Sequence, residues 1–155
     1  MGREIERKFL LKSEAWRDEV RHSTRIVQGY LARGERSAVR VRIKGDVAEL
    51  NIKHTLDGIN RLEYEYEIPV SDAREILDRV ALRPLIDKTR YHVVRGEHLW
   101  EIDEFHGENA GLIIAEIELE DAGEDFERPD WLGEEVSQDP RYYNSNLSRL
   151  PYRQW

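Results

Sequence analysis

Apolar and ionisable residues alternate along much of this chain in short runs with a period of two. Near the start, Glu4, Glu6 and Lys8 fall on one parity and Ile5 and Arg7 on the other. Successive side chains of a strand point to opposite faces, so this stretch predicts a strand with one wholly charged face. Arg40, Arg42 and Lys44 interleave with Val39, Val41 and Ile43. After a Gly45-Asp46 turn, the return strand 47–55 sets Ala48, Leu50 and Ile52 against Glu49, Asn51 and Lys53. Arg61, Glu63, Glu65 and Glu67 alternate with Leu62, Tyr64, Tyr66 and Ile68. Further strands are expected at 25–31, at 87–95 with Lys88, Arg90 and His92 together, at 99–105 with Glu101 and Asp103 together, and at 112–120 with Glu116, Glu118 and Glu120 together.

Helices are few. Ser13 is placed to cap one running to about His22, and Ser71 one of about ten residues with Ala73, Ile76, Leu77 and Val80 as its apolar stripe. Shorter helices are expected at 122–128 and 141–150, with a turn at 129–133. Neither a repeat nor a linker interrupts the pattern, so residues 1–155 read as a single, mainly β (α+β) domain.

A charged face on every strand is ordinarily the solvated side of an antiparallel sheet. Here the signs are sorted. Glu4/Glu6, Glu63/Glu65, Glu101/Asp103 and Glu116/Glu118 are acid pairs, whereas Arg40/Arg42 and Lys88/Arg90 are base pairs. Like charges on one face repel, and repeated pairs imply a bound species that offsets the repulsion. The apolar faces are too many for the few helices to cover. A sheet curled into a closed barrel, with charged faces inside and helices outside, satisfies both demands. The base pairs suit a phosphate polyanion. The acid pairs suit hard divalent cations.

Composition narrows the function classes. The 155 residues are 39% hydrophobic and 36% charged, with net charge −8. That balance argues against a nucleic-acid coat protein. With no cysteine, disulfides, thiolate metal sites and cysteine nucleophiles are excluded. No apolar run approaches the roughly 18 residues of a membrane span, and no signal-peptide profile is present, so a cytoplasmic protein without membrane attachment is expected. The five histidines show no zinc spacing. Neither a GxxxxGK loop followed by Ser or Thr nor GxGxxG occurs. The sequence shows no convincing histidine partner for a serine or threonine nucleophile.

Glu4-x-Glu6-x-Lys8 resembles the ExExK signature of the CYTH family, the triphosphate tunnel metalloenzymes. The resemblance continues in order through Gln28-Gly29-Tyr30-Leu31, Arg40-x-Arg42, Ile52-Lys53, Arg61-x-Glu63-x-Glu65, Lys88-Thr89-Arg90-Tyr91, Glu101-x-Asp103-x-Phe105 and Glu116-x-Glu118. Gly133-Glu134-Glu135-Val136, then Asp139, Arg141-Tyr142 and Asn144, resembles the family's C-terminal segment. The short length is most similar to the compact bacterial inorganic tripolyphosphatases. The resemblance implies a closed eight-stranded antiparallel tunnel barrel with short helices packed outside. It implies that Lys8, Arg40, Arg42, Lys53, Lys88 and Arg90 bind substrate, and that Glu4, Glu6, Lys8 and Lys88 are catalytic. The metal ligands implied are Glu4, Glu6, Glu116 and Glu118, with Glu63, Glu65 and Asp103 as further candidates, for Mg²⁺ or Mn²⁺. The activity implied is hydrolysis of tripolyphosphate to pyrophosphate and phosphate. Adenylate cyclisation of the class IV type, hydrolysis of nucleoside or thiamine triphosphate, and non-catalytic polyphosphate binding are the alternatives. The expected partners are a small triphosphate or polyphosphate and, for assembly, a second copy in a homodimer. The last helix is expected to cover one tunnel mouth, with Tyr30, Tyr142 and Asn144 packing there.

Overall fold

The alternating runs become strands, and the strands close on themselves. The structure, a computed structural model, describes residues 2–155. Its strands are β1 (Gly2–Leu11), β2 (His22–Arg33), β3 (Ser37–Lys44), β4 (Val47–Thr55), β5 (Asn60–Ile68), β6 (Ile86–Arg95), β7 (His98–Phe105), β8 (Ile113–Leu119) and β9 (Leu132–Glu135). The spatial order is β5-β4-β3-β2-β6-β7-β8-β1, and β1 also pairs with β5. Glu6 stands opposite Glu118 on β8, and Glu4 opposite Arg61 on β5. One strand therefore joins both edges, and eight antiparallel strands make a closed barrel. Closure removes the unpaired edges that an open sheet would leave. The short β9 pairs with the end of β1 at Phe9 and Leu11, beyond the last β5 partner.

Outward side chains form two apolar shells. On β1, β6, β7 and β8, Ile5, Phe9, Val93, Trp100, Ile102, Ala115 and Ile117 are buried with Trp16, Trp131 and Leu132. Their cover is a short 3-10 turn, Ala15–Glu19, and the extended strap after β8. Phe126 and Trp131 of that strap stack edge-on against Trp100, at 5.7 and 5.8 Å between ring centroids. On the other side, α1 (Val70–Arg79) lays Ala73 and Leu77 over Val41 and Ala48. Beside α1, β2 comes so close to the chain that a methyl group at Gly29 would sit 2.7 Å from both Ala81 Cβ and Leu85 Cδ2. Gly29→Ala is expected to lower stability by about 1–3 kcal/mol, because the clash can be relieved only by moving packed groups. Thermal unfolding measures it.

A third apolar cluster fills one end of the barrel. Tyr30, Ile86, Phe105, Leu112 and Ile114 meet Val136, Tyr142 and Leu147 of the C-terminal segment. That segment carries a 3-10 turn, Pro140–Tyr142, and one turn of helix, α2 (Asn144–Leu147).

The helical expectations need correction. The stretch after Ser13 makes only the 3-10 turn, because Trp16 must drop into the shell beside Tyr91. α1 starts one residue after Pro69, and Ser71 makes no capping bond. Residues 122–128 form no helix. A turn closes from Asp121 to Glu124, and the chain then runs without regular structure so that Phe126 reaches Phe9 and Trp100; Glu124 Oε1 accepts from the Glu120 amide at 2.9 Å. The expected 129–133 turn leads into β9. The expected C-terminal helix is broken at Tyr143, which is extended.

Candidate active site

Every strand of the ring except β2 sends charged side chains inward, and most of them line a cavity of about 280 Å³. β1 contributes Glu4 and Glu6; β3 Arg40, Arg42 and Lys44; β4 Lys53; β5 Arg61, Glu63 and Glu65; β6 Lys88 and Arg90; β7 Glu101; and β8 Glu116 and Glu118. Eleven of the thirteen residues expected at the site are in this lining. The other two, Lys8 and Asp103, stand in the wall behind it, 2% and 0% exposed. Lys44, Arg61 and Glu101 also line the cavity, and none of them is among those thirteen. Arg61 shares a parity with Glu63 and Glu65, which is the signal that could have placed it.

The bases are held by acids and amides. Arg40 Nε donates to Asn51 Oδ1 at 3.0 Å, and Arg42 Nη2 to Glu49 Oε1 at 2.7 Å. Lys53 is 3.4 Å from Glu63. Lys8 Nζ donates to Glu116 Oε1 at 2.9 Å and lies 3.4 Å from Glu6. Asp103 takes two bonds from Arg90, at 2.8 and 2.9 Å, and one contact from Lys88 Nζ at 2.7 Å. Both of its oxygens are committed, so its geometry is that of an anchor for two bases. Lys88 also donates to Asn144 Oδ1 at 3.2 Å, which brings α2 to the cavity. Tyr143, Ser145 and Asn146 line the cavity alongside it.

Burial and neighbours drive the lumen's titration. Burial, helped by the hydrogen bond with Glu63, pushes Glu4 up to about 9. Burial acts on Glu63 in the same sense, but the bond from Glu4 and the charges of Lys53 and Arg40 outweigh it and hold Glu63 at about 2. The two carboxyls thus share one proton, as close acids do. Burial likewise opposes ionisation of Glu116, yet Lys8, Arg90 and Lys88 keep it well below the usual carboxylate range. Burial pushes Lys88 down to about 8 against the pull of Asp103.

Such a lumen can bind a linear polyanion on several sides at once and can place carboxylates beside it. Among the described residues no three carboxylates converge into a closed ion cage. No helix among the described residues is long and apolar enough to cross a membrane.

Comparison with known proteins agrees with this geometry. The CYTH domain profile matches residues 2–148. An inorganic triphosphatase of Acetivibrio thermocellus is 48% identical over 153 residues, covering 99% of this chain and 97% of that protein. An inorganic triphosphatase of Nitrosomonas europaea is 36% identical over 149 residues, covering 94% and 96%. A crystal structure of an inorganic triphosphatase superposes with a TM-score of 0.67 at 33% identity, covering 94% of this chain and 93% of that one.

Proposed function

The chain belongs to the CYTH family, and from that premise we propose that it hydrolyses inorganic triphosphate to pyrophosphate and phosphate inside its barrel, with a divalent metal. The observation that carries the reading is the lumen itself, with bases from β3, β4, β5 and β6 facing acids from β1, β5 and β8 across one cavity. A triphosphate carries about four negative charges, and one base cannot hold it. Arg40, Arg42, Lys53, Lys88 and Arg90 would grip it, with Arg61 added to that set. The arginines offer paired N–H donors and the lysines point charges. Glu4, Glu6, Glu63, Glu116 and Glu118 are the residues that would hold Mg²⁺ or Mn²⁺. When bound, the ion supplies charge that offsets the phosphoryl oxygens and acidifies water.

The chemistry needs no covalent intermediate. A water oxygen bonds to the terminal phosphorus in line, and the bond from that phosphorus to the bridging oxygen breaks. Pyrophosphate leaves, and the water's proton passes to a phosphate oxygen or to solvent. The side chains contribute position and charge, which dominate phosphoryl transfer. Asp103 fixes Arg90 and Lys88 so that they present their remaining donors to the ligand. Lys8 bridges Glu116 and Glu6, at 2.9 and 3.4 Å, and offsets their mutual repulsion; its part is to set the carboxylates and, through them, the ligand.

The assay is a substrate panel of tripolyphosphate, ATP and thiamine triphosphate, with Mg²⁺, Mn²⁺ or chelator. Rapid metal-dependent phosphate release from tripolyphosphate is expected. Cyclic AMP with pyrophosphate from ATP, faster release from thiamine triphosphate, or binding without turnover would each replace this reading by one of its alternatives.

Lys88 gives a pH dependence. Its folded-state pKa of about 8 lies below the ordinary lysine value, so it is charged below that pH and neutral above it. A bound polyanion favours the charged form. Tripolyphosphate affinity, measured with chelator present, is therefore expected to fall as pH rises through about 8. In Lys88→Arg, which keeps its charge, the fall over that range should be shallower.

A further inference from the structure

Arg61 is held differently from Arg40, Arg42, Arg90 and Lys88; Lys53 shares only its long ion contact, 3.4 Å to Glu63. Arg40, Arg42, Lys88 and Arg90 each contact an acid or amide at 3.0 Å or less. Arg61 Nη1 reaches Glu6 only at 3.5 Å. Its Nε is buried and has no hydrogen-bond partner among the described residues. Against its guanidinium lies the ring of Tyr143, with the centroid 5.8 Å from Cζ, and both side chains line the cavity.

The two ways of holding an arginine leave different things free. A carboxylate consumes the N–H edge of the guanidinium. An aromatic face attracts the cation through its π cloud and leaves the edge donors available. Tyr143 is itself anchored: its hydroxyl donates to the Ser137 carbonyl oxygen at 3.1 Å. Ser137 Oγ in turn accepts from the Lys8 amide on β1 at 2.9 Å. The ring is therefore tied to the same strand that carries Glu4 and Glu6.

We propose that Tyr143 is a positioning residue that holds Arg61 by its face and keeps its donors free for the substrate, so that the C-terminal segment sets triphosphate affinity. The proposal rests on the triphosphate reading above. A cation–π contact acts on the bound ground state and the transition state alike, so its loss belongs in KM.

Steady-state kinetics of tripolyphosphate hydrolysis with Mg²⁺ test it, alongside calorimetric binding of tripolyphosphate with chelator present. Tyr143→Leu should raise KM about threefold to tenfold with kcat within about twofold. Tyr143→Phe keeps the ring while losing the hydroxyl's bond to Ser137, and should return KM most of the way to the wild-type value. In an Arg61→Ala background Tyr143→Leu should add nothing, because its effect passes through Arg61. A fall in kcat at unchanged KM, a failure of Tyr143→Phe to restore KM, or effects that multiply in the double variant would overturn the assignment. If Tyr143→Leu does not fold, Tyr143→Trp decides: the stronger π face should lower KM, and an unchanged or raised KM counts against the proposal. The calorimetric arm separates the two readings. Wild-type protein that binds tripolyphosphate without hydrolysing it ends the enzyme reading and leaves the Tyr143–Arg61 coupling measurable as affinity.

Discussion

Glu4→Gln is expected to slow tripolyphosphate hydrolysis at least about a hundredfold and to melt close to the wild type. Both halves follow from the Glu4–Glu63 pair. Without metal, burial and the bond to Glu63 raise Glu4 to about 9, so at neutral pH it is a protonated acid donating to a carboxylate. A glutamine has nearly the same shape and also donates. The metal-free fold therefore loses little. On the proposed assignment the metal-bound state loses a charged oxygen ligand, and a neutral amide is a poor substitute for a hard cation. Glu6→Gln should show a similar loss of rate. The measurement is kcat with saturating Mg²⁺ beside a melting curve in chelator. Near-normal turnover in either variant would remove that residue from the metal site.

The second large effect concerns Asp103 and reads out as stability. Asp103→Asn leaves Lys88 and Arg90 buried without the carboxylate that both contact at 2.7–2.9 Å. Removing one member of a buried charge cluster costs about 3–5 kcal/mol. For a chain of this size that is a fall of roughly 6–20 °C in Tm. Because Lys88 and Arg90 also line the cavity, an anion placed there can stand in for the missing charge. Tripolyphosphate with chelator should raise the Tm of Asp103→Asn by more than it raises the wild type's. If Asp103 were a metal ligand first, the substitution would lower Mg²⁺ response with little change in the metal-free melt.

Parity made most of this legible. A period of two put Glu4, Glu6, Arg40, Arg42, Lys53, Glu63, Glu65, Lys88, Arg90, Glu116 and Glu118 on inward faces, and the closed ring brought them to one cavity. Parity says which face, and depth is a separate quantity. Lys8 and Asp103 have the right parity but stand behind the lining, because their strand neighbours Glu116 and Arg90 reach farther into the lumen. Arg61 was hidden by its company, since two glutamates on the same face make β5 look acidic.

The segments that defied the sequence are those whose conformation tertiary contacts decide. Residues 122–128 carry too few apolar residues for a helical stripe, and Phe126 instead packs edge-on against Phe9, with ring centroids 6.0 Å apart. β9 has only four residues. It exists because β1 outruns β5 and leaves an edge to pair. Gly133 permits the approach: a Cβ there would lie 2.8 Å from the Leu10 carbonyl oxygen. Near the C-terminus, the Tyr143 that breaks the expected helix is the residue that turns its ring to Arg61.

The central claim is that the charged barrel is a metal-dependent triphosphatase site. Phosphorus NMR of tripolyphosphate incubated with the wild-type protein tests it most directly, first with chelator and then with excess Mg²⁺. Stable triphosphate resonances are expected in chelator. After Mg²⁺ is added, pyrophosphate and phosphate should appear in equal amounts, and Glu4→Gln should suppress both. Triphosphate resonances that persist unchanged in excess Mg²⁺ would contradict it.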